Sequence, residues 1–381
     1  MIIYFVTQTY FNNRDKERYG INFFLRKNFV VVIIDVQDYT NPELKFIETP
    51  VYKEENNLFV VKCSNFNDVK KIIKLHGKGI AIVSLPRNIQ GTKIRRYLKS
   101  NKIKIGLNDG GMMPTTNNNV IRKIFFKFKK AGFKKLLFLV FERIYSKILT
   151  PEYDFLITSN YEKSVIKVNI VKPKAIIETH CWDYDLSIKH KNDKSLIEKK
   201  YVVFLDQYVL KHTDLIRTHN ILDISPESYY RELNQLFNHI ENKLNFEVVI
   251  APHPSADIKE YNTLFDGRRI EFGKTALLVK YCEFSLTHTS TAINLAVIYQ
   301  KPILFVTNDG LTRSSLDGEI KLFSSVLGQN VINVSNNFSL PDEIKINKEC
   351  YSKYKYNYIK KNDLESLSWY IFYNTYIKKF I

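Results

Sequence analysis

Three short apolar runs between Val248 and Thr307, two of them ending in small polar residues with a histidine, limit what this chain can fold into more than any other feature. Val248-Val249-Ile250-Ala251 is too short for a buried helix and rich in β-branched residues, so it predicts an interior parallel strand. His253-Pro254 follows at once. Phe284-Ser285-Leu286-Thr287 repeats the pattern and runs into His288-Thr289-Ser290-Thr291, ahead of helical spacing from Ala292 to Tyr299. Pro302 to Val306 gives a further buried strand. Open parallel sheets bind ligands beyond the carboxyl ends of their strands, so both polar loops are candidate binding loops. Thr289, Ser290 or Thr291 as N-cap would present hydroxyls and backbone N–H groups at a positive helix end, which suits a phosphate.

The rest of the chain repeats this alternation. Strands are expected at Ile2–Thr7, Phe29–Val36, Leu58–Val61, Gly79–Leu85, Ile103–Leu107, Phe155–Thr158 and Ala175–Ile177, then at Tyr201–Leu205 and Val331–Val334. Helical patterns cover Arg14–Lys27, Asn67–Leu75, Gln90–Ser100 and Ser225–Lys243. At 381 residues the chain exceeds what one core usually holds. Two α/β domains are therefore expected, over 1–190 and 201–362, with the charged stretch His190–Lys200 as linker and an aromatic-rich helical tail over 363–381. No GxGxxG follows the first strand, which excludes a dinucleotide fingerprint there. Gly273-Lys274-Thr275 lacks the upstream glycine of a P-loop.

With 57 basic against 39 acidic residues, the formal charge of +18 calls for an anionic partner, whether phosphorylated substrate, phospholipid surface or nucleic acid. The basic residues are spread along the chain and no RNA or DNA motif appears, so a nucleic-acid-binding protein is the weaker alternative. Cys63, Cys181, Cys282 and Cys350 are scattered without zinc or disulfide spacing. The first residues read as a strand and not as a signal peptide, and no apolar run is long enough to span a bilayer. A cytoplasmic protein is expected.

The pairing of His253-Pro254 with Thr289-Ser290 resembles the HP and serine-serine/threonine motifs of bacterial CMP-sugar glycosyltransferases, namely sialyltransferases and the Kdo and pseudaminic acid transferases of capsule and O-antigen assembly. The resemblance implies a GT-B fold, two Rossmann-like domains facing across a cleft, with the C-terminal helix returning to the first. It implies that His253, with Pro254, and the hydroxyls of Thr289 and Ser290 hold the CMP phosphate. His288, Thr291 and Lys274 complete the candidate donor set. From the residues alone, both histidines also fit strand-end side chains satisfied by backbone carbonyls, and Lys274 fits a solvated helix end. The family implies no metal and no cofactor, because side chains and helix ends receive the departing phosphate. A UDP- or GDP-sugar transferase of the same fold is the alternative.

Asn108-Asp109-Gly110-Gly111 resembles the acidic-acidic-glycine motif of bacterial sialyltransferases, which implies Asp109 as general base, with Asn108 in place of one acid. A β-turn in which Asp109 bonds its own backbone is the other reading. Phe204-Leu205-Asp206-Gln207 resembles a segment of retaining Kdo-type transferases and implies Asp206 as a nucleophile, with Asp109 as acid/base. Asp206 as a helix cap or hinge contact stays open. Cys181-Trp182-Asp183-Tyr184-Asp185 also resembles a family segment, without a chemical role. Residues 120–149 mix Phe, Leu and Ile with seven lysines, two arginines and one acid. They fit a basic amphipathic helix on an anionic inner membrane, where it would meet a glycan or lipid-linked acceptor, or a helix covering the first sheet.

Overall fold

The computed structural model describes residues 1–42, 55–115, 137–138, 140–164, 173–211, 222, 224–254, 256, 258–335, 337–361 and 364–381. They form two compact units, one from the described residues of 1–110, 137–179 and 366–381, the other from those of 111–115 and 180–365.

The first unit is built on seven parallel strands: β1 (Ile2–Thr7), β2 (Val30–Asp35), β3 (Leu58–Lys62), β4 (Gly79–Ser84), β5 (Lys104–Asp109), β6 (Phe155–Thr158) and β7 (Ala175–Glu178). Their order is β3-β2-β1-β4-β5-β6-β7. Both faces of the central strands are covered, which is why β1 and β2 are apolar up to their last residues, Thr7 and Asp35, and do not alternate with polar residues. Ile3, Phe5, Val31 and Ile33 enter the core on one face, and Tyr4, Val6, Val32 and Ile34 the core on the other.

The last helix, Ser368–Thr375, belongs to this first core. Trp369 Nε1 donates to the Arg18 carbonyl at 2.6 Å, and its indole packs edge-on against Phe5 and Phe24. The continuous helix expected over Arg14–Lys27 is split here into Asn13–Arg18 and Ile21–Arg26. Gly20 makes the break at φ +60°, and a Cβ there would sit 2.3 Å from the Trp369 ring, so glycine is required twice over.

The second unit holds five parallel strands: β8 (Tyr201–Leu205), β9 (Glu247–Ala251), β10 (Ser285–Thr287), β11 (Ile303–Thr307) and β12 (Val331–Asn333), in the order β12-β11-β10-β8-β9. Each of the twelve expected strands is therefore present. The boundary between units falls earlier than the charged stretch 190–200. Helix Trp182–Lys189 packs in the second unit, where Cys181 and Tyr184 join its core. The stretch after it is clipped down by Lys280, whose Nζ donates to the carbonyls of His190, Lys191 and Asp193 at 2.8, 2.8 and 3.0 Å. Its charge made it look like a tether, but a single lysine satisfies three of its carbonyls.

Candidate functional site

Strand order decides where a ligand can enter the second unit. The connection after β8 runs to β9 on one side and the connection after β10 runs to β11 on the other, so the crevice of an open sheet opens between β8 and β10. The residues that follow these two strands are Asp206-Gln207 and His288-Thr289-Ser290-Thr291.

Gln207 bridges that crevice. Its Nε2 donates to Thr289 Oγ1 at 2.7 Å, and its Oε1 accepts the Thr289 backbone N–H at 2.5 Å. Thr287 Oγ1 donates to the Leu205 carbonyl at 3.3 Å and accepts the Ser290 N–H at 3.2 Å. Ser290 Oγ in turn accepts the Ala292 N–H at 3.3 Å. This corrects the expectation of free backbone N–H groups in the loop: those of Thr289, Ser290 and Ala292 are consumed by side chains. The helix starts later, at Ile293, and ends at Ile298 without a side-chain cap, so its dipole adds little. What the loop offers an anion is hydroxyls. The oxygens of Thr289 and Ser290 each accept a hydrogen bond, which leaves the hydroxyl hydrogens to donate outward. Ser290 is half-buried and Thr291 exposed.

His288 does not join them. Its ring is buried, with Nδ1 2.6 Å from the Val306 carbonyl and Nε2 2.8 Å from the Tyr229 hydroxyl. A carbonyl can only accept, so Nδ1 carries the hydrogen and Nε2 accepts from Tyr229. Burial lowers its pKa to about 4, so the ring is neutral at physiological pH. His288 ties β10 to β11 and to helix Pro226–Leu244, and it stands inside the unit and not at its edge.

His253 and Pro254 follow β9, on the far side of β8 from β10. With strands spaced about 4.8 Å apart, the β9 and β10 loops are roughly 10 Å apart across Asp206-Gln207, a span that a nucleoside monophosphate covers. His253 is half-buried and Pro254 exposed, and the His253 carbonyl accepts the Ala256 N–H at 2.9 Å. Lys274 stands exposed at the N-cap of helix Thr275–Tyr281, with no side-chain capping bond.

Asp206 is 6% exposed. One carboxylate oxygen accepts the Tyr208 N–H at 3.1 Å and the other accepts the Tyr261 hydroxyl. Burial pushes its pKa up, against the hydrogen bonds from Tyr261 and Tyr208 that lower it. Both oxygens are engaged inside the second unit. Asp183, in the aromatic-Asp-Tyr-Asp segment, accepts from Asn294 Nδ2 at 2.9 Å, while the Tyr354 hydroxyl donates to Asn294 Oδ1 at 2.9 Å. That buried chain holds the start of helix Ile293–Ile298 in place behind the hydroxyl loop.

Asp109 ends β5 in the first unit. Ser164 Oγ donates to its Oδ2 at 2.5 Å, and burial raises its pKa to about 6. The fit to a general base is direct, since a base works best when its pKa lies near the operating pH. Neither Gly110 nor Gly111 takes a positive φ, so the turn after β5 does not depend on left-handed backbone at either. Gly111 instead admits the Trp182 ring, which would lie 3.2 Å from a Cβ.

The sequence reading missed Gln207 and Glu232. Glu232, on helix Pro226–Leu244, accepts from Asn308 Nδ2 at 2.9 Å, Ser335 Oγ at 3.1 Å and Ser228 Oγ at 3.1 Å, fastening the carboxyl ends of β11 and β12. The signal for Gln207 was its place directly after a strand and next to Asp206.

No protein-family model matches the chain, and no curated protein matches it in sequence. Among solved structures, it is similar to the wall teichoic acid polymerase TagF, with a TM-score of 0.54 at 12% identity over 100% of this chain and 90% of that one. The H548A variant of TagF matches with a TM-score of 0.56 at 14% identity, over 97% of this chain and 87% of that one. A UDP co-structure of S. aureus MnaA matches at 0.49 and 14% identity, over 93% of this chain and 87% of that one. At such identities the likeness is one of fold. Two parallel-sheet α/β units of this kind define the GT-B class.

Proposed function

We propose that this chain is a glycosyltransferase that moves a nonulosonic or ulosonic acid (pseudaminic, legionaminic or sialic acid, or Kdo) from its CMP-activated donor to a hydroxyl of a bacterial surface glycan, working at the cytoplasmic face of the membrane. The observation that carries the reading is the Gln207–Thr289 clamp across the β8/β10 crevice, which occupies the Thr289 oxygen as an acceptor and leaves its hydroxyl hydrogen for a phosphate. The GT-B fold, the raised pKa of Asp109 and the HP segment after β9 support it.

In this reading the acceptor hydroxyl gives its proton to the Asp109 carboxylate as its oxygen attacks the anomeric carbon. The bond from that carbon to the phosphate oxygen breaks with its electron pair, and CMP departs. Thr289, Ser290 and His253 receive the charge that grows on the phosphate, without a divalent ion. Asp206, held by Tyr261 and Tyr208, shapes the β8 turn, so the displacement is a single step with inversion.

The test is CMP release from CMP-Kdo, CMP-sialic acid and CMP-pseudaminic acid in the presence of EDTA, beside a thermal-shift panel of CMP, UDP and GDP. Stabilisation by CMP and release from one donor are expected. His253→Ala weakens CMP binding, whereas Asp109→Asn keeps CMP binding and loses transfer. A shift with UDP or GDP and none with CMP would overturn the donor assignment. A sugar trapped on Asp206 in intact-protein mass spectrometry would overturn the single displacement.

A further inference from the structure

Residues 120–136 of the basic stretch, and residue 139, lie outside the described residues, but 140–149 form a helix, and its amphipathicity is inverted. An ordinary surface helix buries its apolar stripe and shows its polar side to water. Here the polar side faces the protein. Ser146 is buried and accepts a hydrogen bond from Thr92 Oγ1 at 3.2 Å; Thr92 also meets Thr150 Oγ1 at 3.3 Å, and Glu142 Oε1 accepts the Ile89 N–H at 3.4 Å. The apolar side faces out. Leu137, Phe141, Ile144 and Ile148 follow one another at helical spacing, directly opposite Ser146, and with Val140 they are 48–72% exposed.

Such a stripe exposes apolar area that a monomer in water rarely tolerates, and it is therefore a surface built to be covered. The charge around it identifies the cover. Arg143 and Lys147 are exposed on its flank. The supporting helix, Ile89–Ser100, shows Lys93 and Arg96 and has no acidic residue. The chain directly upstream, 120–136, carries six lysines and one arginine and no acid. A second copy of the chain would bring the same positive charges together on both sides of the contact. An anionic lipid surface neutralises them while its acyl chains take the apolar stripe. No helix among the described residues is long and apolar enough to cross a membrane, so the fit is to the bilayer surface.

We propose that Phe141, Ile144 and Ile148 dock the first unit on an anionic phospholipid bilayer, with Arg143 and Lys147 on the headgroups. This deepens the membrane part of the function proposed above and does not depend on its donor chemistry. Vesicle binding is measured without donor or acceptor, and CMP release without vesicles, so either can fail alone.

Sedimentation with phosphatidylglycerol vesicles, compared with phosphatidylcholine vesicles, reads the contact. The wild-type chain is expected to pellet with the former. Replacing the three residues together (Phe141→Glu, Ile144→Glu, Ile148→Glu) lowers binding at least about tenfold, because both apolar transfer and charge attraction are lost. Arg143→Glu with Lys147→Glu weakens binding most at low salt. Phe141→Trp, a milder change, gives a blue-shifted emission on adding vesicles. A wild-type chain that stays in the supernatant, a triple variant that binds unchanged, or a Phe141→Trp emission that does not move would each overturn the proposal. So would a dimer in ultracentrifugation that the triple variant dissolves without any vesicle binding, since the stripe would then join two copies.

Discussion

Gln207 holds Thr289 at two points, its Nε2 on the hydroxyl oxygen at 2.7 Å and its Oε1 on the backbone N–H at 2.5 Å. One amide group thus sets both the backbone and the side-chain rotation of a residue that lies on another strand's loop. The clamp predisposes the loop for an anion without itself needing to touch one.

Gln207→Ala leaves the Thr289 N–H unpaired at a buried position, at a cost of about 1–3 kcal/mol. CMP affinity is expected to drop roughly tenfold, as the Thr289 hydroxyl loses its fixed direction. Thr289→Ser keeps the hydroxyl and much of the affinity, whereas Thr289→Val loses it. Isothermal titration with CMP checks the series; equal affinity for the Ser and Val variants would exclude the hydroxyl as a ligand.

Asp109 takes up protons more readily in the folded chain, at about 6, than an ordinary carboxylate does. Its folding contribution is fully present below the unfolded value near 4 and is lost as pH rises through about 6. Asp109→Asn is therefore expected to stabilise the first unit at pH 7, by up to about 3 kcal/mol, while abolishing transfer. A melting temperature that rises as activity vanishes is the expected pattern.

The same carboxylate sets the acid limb of the rate profile. Transfer falls about tenfold per pH unit below about 6, where the base is protonated. Ser164→Ala removes the hydroxyl that donates to Oδ2, so the carboxylate loses a stabilising bond and the limb moves to higher pH. A limb that stays in place in the Ser164→Ala rate profile would separate it from Asp109.

His288 gives the second unit the opposite response. Its folded pKa of about 4 lies below the ordinary value, so the stability it contributes is present above about 6.5 and is lost as pH falls toward 4. The loss amounts to at most about 3 kcal/mol. Hydrogen exchange at pH 5 is expected to show β10 and β11 less protected than at pH 7, and His288→Asn to flatten that difference.

Trp369 closes the first core from the far end of the sequence. Trp369→Ala is expected to cost about 3–5 kcal/mol, through the cavity beside Phe5, Phe24 and Gly20. Exchange protection should fall in β1 and β2 and hold in β8 and β9. A uniform loss across both units would contradict the assignment of the last helix to the first.

Much of the fold was legible in the sequence because a parallel strand covered on both faces must be apolar along its whole length. Val30–Asp35 and Tyr201–Leu205 announce themselves in that way. The carboxyl-end loops were legible for the same reason, since they begin where those runs stop. The Gln207–Thr289 bond was not, because it joins residues 82 apart and depends on β8 lying beside β10. Nor was the inverted helix over 140–149, whose pattern shows that it has two faces and not which of them meets the protein.

Asn-Asp-Gly occurs twice, at 108–110 and 308–310, each time at the end of a strand-forming run. In the first copy Asp109 is drawn into β5 and bonded by Ser164. In the second, Asn308 caps a short helix by accepting the Leu311 N–H at 2.8 Å, and Asp309 accepts from Asn333 at 2.8 Å. The sequence by itself determined the strands, their two-sided burial and the polar residues at their carboxyl ends, because those follow from side-chain chemistry and local spacing. Only the tertiary structure decided which of those residues are consumed inside the fold and which keep a hydrogen to give, because a donor's partner is chosen by whatever strand comes to lie beside it.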